Sequence, residues 1–387
     1  MQNPMKNLLL VIPAFLMLLS CKGTSQTTAS APMPADKKAT KETIALYQNL
    51  FRLKEKGYMF GHQDALAYGV EWKYEEGRSD IKDVTGDYPA VYGWDFGRIE
   101  NKESKDLDGV PFDKMREWMK QVYDRGGINT VSWHVNNPLS GKDAWDNPPG
   151  TVASVLPGGS QHEKYKGWMD NAAEFLLTLK GSDGKPIPIL YRPYHEFTGD
   201  WFWWCKNTTT PQQFRELWVF TVKYFQSKGV HNLIYVYNTS NENVATEANF
   251  MEYYPGDEWV DMVSFDVYQG GEGEKREKFL KETKNIVAIM DKVAREHNKL
   301  CAIAETGYEA VPDAKWWTGT LAEAIGNHKI SYVLVWRNHG WNDWFKPAKM
   351  HYYGPYKGQV SEKDFIEFYN RKNTLFQSDV TKEKLYR

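Results

Sequence analysis

Apolar positions along this chain follow two alternating rhythms. The stretch TKETIALYQNLFRLKEKG begins at Thr40 and sets Ile44, Leu46, Leu50 and Leu53 at helical spacing, with Gly57 as a stop. Short apolar runs then succeed one another. They are YMFGHQ from Tyr58, PAVYGWDFG from Pro89, INTVSWHVNN from Ile128, IPILYRPYHE ending at Glu196, NLIYVYNTS from Asn232, DMVSFDVYQ from Asp261, CAIAETGY from Cys301 and ISYVLVWRNHG from Ile330. Helical patterns separate most of them: MREWMKQVYDRGG, YKGWMDNAAEFLLTLK, PQQFRELWVFTVKYFQSKG with Pro211 in its first turn, and a charged stretch from Glu274 to His297. Eight strands mostly alternating with helices over roughly 290 residues predict an α/β fold, a single (β/α)8 TIM barrel. A doubly wound open sheet is the rival, but no glycine-rich phosphate loop follows the first strand.

In a barrel of this kind chemistry collects where the strands end at the C-terminal face. Those ends carry His62 and Asp64, Trp94 and Asp95, His134 and Asn136, His195 and Glu196, Asn238, Asp266 and Tyr268, Glu305, and Trp336 and Arg337. Glu196 and Glu305 end the fourth and seventh strands. A single glutamate there is equally compatible with a helix cap or a salt bridge to Arg192. Two point further, because glycoside hydrolysis uses a pair of carboxyl groups, one protonated for the leaving oxygen and one ionised. The aromatic content is skewed, with 16 Trp and 23 Tyr among 387 residues; some of those rings must be core, but 16 Trp are more than packing usually requires. The net charge of −2, with no basic block, argues against nucleic acid and against a polybasic membrane patch. The spacings in WHVNN and GHQD match no zinc pattern, so neither a metal nor a cofactor is expected.

The motifs YRPYHEFTGDWFWW, SFDVYQ, AETG and VWRN, in this order, resemble glycoside hydrolase family 26, the mannanase-rich family of the clan A retaining (β/α)8 glycosidases. The resemblance covers nearly everything from Glu42 to the C-terminus. The His-Glu pair followed by Gly-Asp-Trp makes it specific, since most of the clan has Asn in place of His195. It implies Glu196 as acid/base and Glu305 as nucleophile, with His195 beside the acid/base. It further implies Trp201 as part of a sugar floor, Tyr268 against the nucleophile, His134 near the glycone, and Trp336 and Arg337 as a sugar-contacting pair. Asp266, two residues before Tyr268 in a strand, points the same way. Of Phe202, Trp203 and Trp204 at least two are expected in packing. His62, Trp94, Asp95 and Asn338 line the mouth without an assigned role.

The implied activity is retaining hydrolysis of β-1,4-mannosidic links in mannan, galactomannan or manno-oligosaccharides by a monomer. The alternatives are the same chemistry on β-1,3-xylan or mixed-linkage β-glucan, or a glycan-binding lipoprotein without turnover. Residues 1–20 read as a lipoprotein signal peptide: Lys6, then the apolar NLLLVIPAFLMLLS, then LLSC, which resembles a lipobox with Cys21 as the lipidated residue. Residues 21–41 are small and polar and are expected to be a flexible tether, leaving 42–387 as the catalytic domain. Lys22 after the cysteine, and no acidic residue before Asp36, point to an outer-membrane lipoprotein facing the periplasm.

Overall fold

The computed structural model describes residues 31–387. All eight anticipated runs form parallel strands: β1 Tyr58–Gln63, β2 Val91–Asp95, β3 Ile128–Ser132, β4 Ile189–Arg192, β5 Leu233–Ser240, β6 Met262–Gln269, β7 Leu300–Tyr308 and β8 Tyr332–Val335. Each pairs with the next, and β8 pairs with β1 from Met59↔Tyr332 to His62↔Val335, which closes the barrel. The helices Phe112–Asp124, His162–Thr178, Pro211–Ser227 and Glu274–Glu296 surround it. Thr210 opens the third of these with a capping box to Gln213, ahead of Pro211 at the first helical position.

Alternation along the strands separates two apolar layers. Met59, Leu190, Ile234, Val236, Met262, Ala302 and Leu334 pack on the barrel axis with Leu46, Tyr47, Leu50 and Leu53 of the helix Lys41–Leu53. That helix therefore plugs the barrel at the end opposite the C-terminal ends of the strands. Residues on the other strand face, such as Tyr191, Tyr235, Val263 and Ile303, pack against the outer helices. Near the end of the chain, Thr374 and Leu375 pair with Tyr58 and Met59 of β1.

The stretch expected to be a free tether is docked over its last residues. The Ala35 N–H donates to the Asp261 carboxylate at 2.6 Å, and Asp36 pairs with His231 at 2.7 Å. Thr40 donates through its backbone to the carbonyl of His231 and caps the helix that follows. Small, unhindered residues leave their backbone N–H groups free to satisfy a buried carboxylate, which composition alone did not reveal. Cys21, the signal segment and the first part of the tether lie outside the described residues.

β7 carries one residue more than either neighbour. Against β6, Phe265 pairs with Ile303 but Asp266 pairs with Glu305; against β8, Val333 pairs with Ile303 and Val335 with Thr306. The extra residue falls at Ala304. Ile303 faces the outer helices, and strict alternation would turn Glu305 the same way. The bulge brings Glu305 to the inside of the mouth instead, a device common beside active sites.

Candidate active site

The stretch Tyr191–Trp204 leaves β4 and turns sharply at the mouth. Tyr194 and Glu196 hold φ of 51° and 55°, in the left-handed region. Such a conformation costs a non-glycine residue about 1–3 kcal/mol and concentrates at functional sites. Three of the four consecutive aromatics are packing: Phe202 is 2% exposed, and Trp203 and Trp204 are fully covered. Their indole nitrogens donate to backbone carbonyls, Trp203 to Val135 at 2.9 Å and Trp204 to His195 at 2.8 Å. Trp201 alone remains half-buried at the mouth, and its indole N–H donates to Glu196 Oε2 at 2.8 Å.

Glu196 and Glu305 come together with Asp266. One carboxyl oxygen from each lies within 4.8 Å of the others. Arg192, in register with Leu190 on the inner face of β4, occupies the centre of this group. It donates to Asp266 Oδ2 at 2.6 Å and pairs with Glu305 Oε1. Tyr268 donates through its hydroxyl to Glu305 Oε2 at 2.8 Å, so both Glu305 oxygens face donors. Asn238 joins the two sides, giving its amide N–H to Asp266 Oδ1 at 2.8 Å and accepting the Glu196 backbone N–H at 2.9 Å. Two of the three carboxyl groups, Asp266 and Glu305, thus share one guanidinium. Glu196 is the one that Arg192 does not touch. Burial, and then the charge of Glu305, push its pKa up to about 7, against the opposing pull of Arg192 and His134.

The two glutamates therefore sit in unlike surroundings, one inclined to keep a proton and one held by a cation and a phenol. That contrast is what acid and nucleophile roles on one glycosidic bond require. A carboxylate separation of about 5–5.5 Å belongs to direct attack, whereas a water-mediated, inverting site needs about 6.5–9.5 Å. One oxygen of Glu196 lies within 4.8 Å of one oxygen of Glu305, an approach compatible with direct attack.

The remaining anticipated residues divide. His134 and His195 are both buried and meet through their Nε2 atoms at 3.1 Å, with His134 Nδ1 on Asp95 at 2.8 Å. His195 adjoins Glu196 in sequence but spends this nitrogen on His134. Trp336 stays half-buried just beyond β8. Arg337 is 7% exposed and pairs with Asp108 at 2.6 Å, so its charge is already met within the wall of the mouth. Asn338 ties the mouth together, accepting the Gly354 N–H and donating to Asp80.

Sequence reasoning overlooked two features. It weighed Arg192 only as a salt-bridge partner, although its inner register after Leu190 marks it as interior. Trp145, 48% exposed, stacks on His134 with ring centres 5.2 Å apart and planes at 13°. It lies in a long irregular loop where no periodicity could place it. A cavity of about 510 Å³ opens from Glu196 and Trp201 past Ser240, Glu242, Lys275 and Lys278. A larger groove of about 760 Å³ on the outer face of helix Pro211–Ser227 shares no lining residue with it.

Comparison with known proteins agrees with this geometry. The profile of Glycosyl hydrolase family 26 matches residues 35–364. A mannan endo-1,4-β-mannosidase of Bifidobacterium adolescentis is 28% identical over 386 residues, which is 95% of this chain and 37% of that protein. One from Bacillus subtilis is 26% identical over 279 residues, 68% of this chain and 74% of that protein. The solved structure of a β-mannanase of the same family from Bacteroides ovatus superposes with a TM-score of 0.85 at 42% identity. It covers 90% of this chain and 98% of that one.

Proposed function

The chain belongs to glycosyl hydrolase family 26, and on that premise we propose that it cleaves β-1,4-mannosidic links with retention of configuration, through a covalent glycosyl-enzyme. The observation that carries this reading is the approach of one Glu196 oxygen to one Glu305 oxygen within 4.8 Å, with burial raising the pKa of Glu196 while Arg192 and Tyr268 bind Glu305. Glu196, protonated near neutrality, gives its proton to the glycosidic oxygen as that bond breaks. Glu305 attacks the anomeric carbon and becomes an ester. Water then displaces the sugar, with Glu196 taking the proton back as base, so the carboxyl groups return to their starting states.

Arg192 and Tyr268 aim the Glu305 oxygens. The cavity bordered by Glu196 and Trp201 takes the leaving portion of the chain, since the acid must face the departing oxygen. Trp201, Trp336 and Trp145 present ring faces to sugar C–H groups at the mouth, and His134 contributes to the glycone side. Mannan as substrate is supported by the activities named for the Bifidobacterium, Bacillus and Bacteroides relatives.

A product profile on mannan, galactomannan, glucomannan, xylan and mixed-linkage glucan tests this. Release of manno-oligosaccharides with little turnover of xylan and mixed-linkage glucan is expected. Preferential cutting of either of the latter would replace the substrate, and no turnover of any would make the protein a binder.

The enzyme is held by lipid on Cys21 to the outer membrane, facing the periplasm. What supports this is the sequence alone: Lys6, the apolar run to Ser20, the LLSC tetrapeptide and the absence of acid before Asp36. Release of soluble protein by Cys21→Ala, with no surface labelling of intact cells, is the expected outcome. Strong surface labelling would reverse the periplasmic assignment.

A further inference from the structure

Asp95 ends β2 and is fully buried, yet it belongs to neither side of the glutamate pair. Four donors converge on its carboxylate. The N–H groups of Gly97 and His134 reach Oδ1 at 2.6 and 3.2 Å, while Ser132 Oγ and His134 Nδ1 reach Oδ2 at 2.6 and 2.8 Å. A buried carboxyl so fully supplied with donors is an ion, and the His134 Nδ1 must carry a proton to be one of them. The other nitrogen of His134 meets His195 Nε2 at 3.1 Å, so a single proton lies between the two rings. Trp145 covers the face of His134, the arrangement an aromatic ring offers to a cation.

We propose that Asp95 is a positioning residue: it fixes the tautomer and the positive charge of His134, and through His134 the tautomer of His195 beside the acid Glu196. The inference rests on the reading of Glu196 as the acid.

The surrounding charges place the shared proton. Burial alone would lower the pKa of His134, but Asp95, and beyond it Glu305 and Asp108, raise it above the ordinary histidine value. His195 is pushed the other way by burial, then by His134 and Arg192, and stays neutral. His134 Nε2 therefore donates to His195 Nε2. The hydrogen of His195 itself is left on Nδ1, which has no protein partner among the described residues.

Glu196 feels the near, positive end of the Asp95–His134 pair. The groups facing Glu196 are Glu305 from β7, Arg192 from β4, Asp266 and Tyr268 from β6, His134 from the end of β3, and the indole N–H of Trp201. Glu242, Lys275, Lys278 and Glu282 line the same cavity further out. Removing the anion at residue 95 lets His134 lose its proton within the working pH range. Glu196 then loses a neighbouring cation and holds its own proton more tightly.

Imidazole ¹H–¹⁵N NMR of the full-length enzyme, with Asp95→Asn and Ser132→Ala, reads this without substrate. Wild type is expected to keep both His134 nitrogens protonated at pH 7, and Asp95→Asn to lose that state. The basic limb of kcat/KM against pH on mannan should move up by about one unit in Asp95→Asn. Ser132→Ala, which removes a donor but leaves the charge, should leave the limb in place.

A wild-type His134 with a bare Nε2 at pH 7 overturns the proposal whether or not the variant folds. So does an unchanged His134 titration in Asp95→Asn, or a limb moved equally by Ser132→Ala. A displaced His134 titration with an unmoved limb keeps the relay and instead removes Glu196 from the role of acid.

Discussion

Glu196 is held protonated near neutrality by burial and by the negative charge of Glu305, and this makes a trade between stability and activity measurable. Its folded pKa of about 7 lies above the ordinary 4.5, so folding disfavours the ionised form. The cost is absent below pH 4.5, grows through the interval and is fully present above pH 7. Glu196→Gln should therefore raise the melting temperature relative to wild type at pH 8, with the gain gone at pH 4.5. Calorimetry at the two pH values checks this. In activity the same pKa makes kcat/KM fall as pH rises past about 7, because the proton-donating form is lost. Glu305→Gln should reduce turnover of every substrate by a factor on the order of 10⁴ or more. Glu196→Gln should spare the glycosylation step with aryl mannosides, whose leaving groups need little protonation. Equal pre-steady-state losses on aryl mannoside and on mannan would contradict the acid role.

At the scale of the elements, residue order gave all eight strands and the main helices, because a period of two and a period of 3.6 leave distinct apolar patterns. The orientation of the seventh strand end was not legible in this way. In LCAIAETGY, Glu305 alternates with Ile303 as an outward residue, and only the register against both neighbours shows the extra residue at Ala304. The long loop carrying Trp145 was equally silent, since its geometry rests on tertiary contacts and not on periodicity. Arg192 shows the opposite case: its register was visible, but its role depended on which carboxylates other strands would bring. Gly199, in the loop that follows β4, has a similarly tertiary reason. A Cβ at Gly199 would lie 2.4–2.6 Å from the ring of Trp201. Gly199→Ala should therefore displace Trp201 from Glu196, lowering kcat/KM on mannan by about 10–100-fold, equivalent to roughly 1.4–2.7 kcal/mol. Circular dichroism and melting should show a folded barrel. Wild-type kinetics in that variant would mean that the indole contact does not serve catalysis.

Across the whole molecule, the plug at one end of the barrel and the catalytic mouth at the other are built by separate parts of the chain. Helix Lys41–Leu53 and the segment before it close the end away from the glutamates, with Ala35 and Asp36 tied to Asp261 and His231. A chain starting at Lys41 leaves part of the Asp261 carboxylate unsatisfied and strips the Thr40 cap. It should lose about 1–3 kcal/mol and melt several degrees lower, with kcat on mannan unchanged. A large kcat loss at full folding would show that the two ends communicate.

The central claim, that one glutamate becomes covalently bound to sugar, is tested most directly by trapping. An activated 2-deoxy-2-fluoro-β-mannoside forms a glycosyl-enzyme faster than water can release it, and peptide mass spectrometry locates the adduct. The account predicts one fluoromannosyl ester, on Glu305 within AIAETGY. An adduct on Glu196 or Asp266, or rapid turnover with no adduct and inverted product, would contradict it.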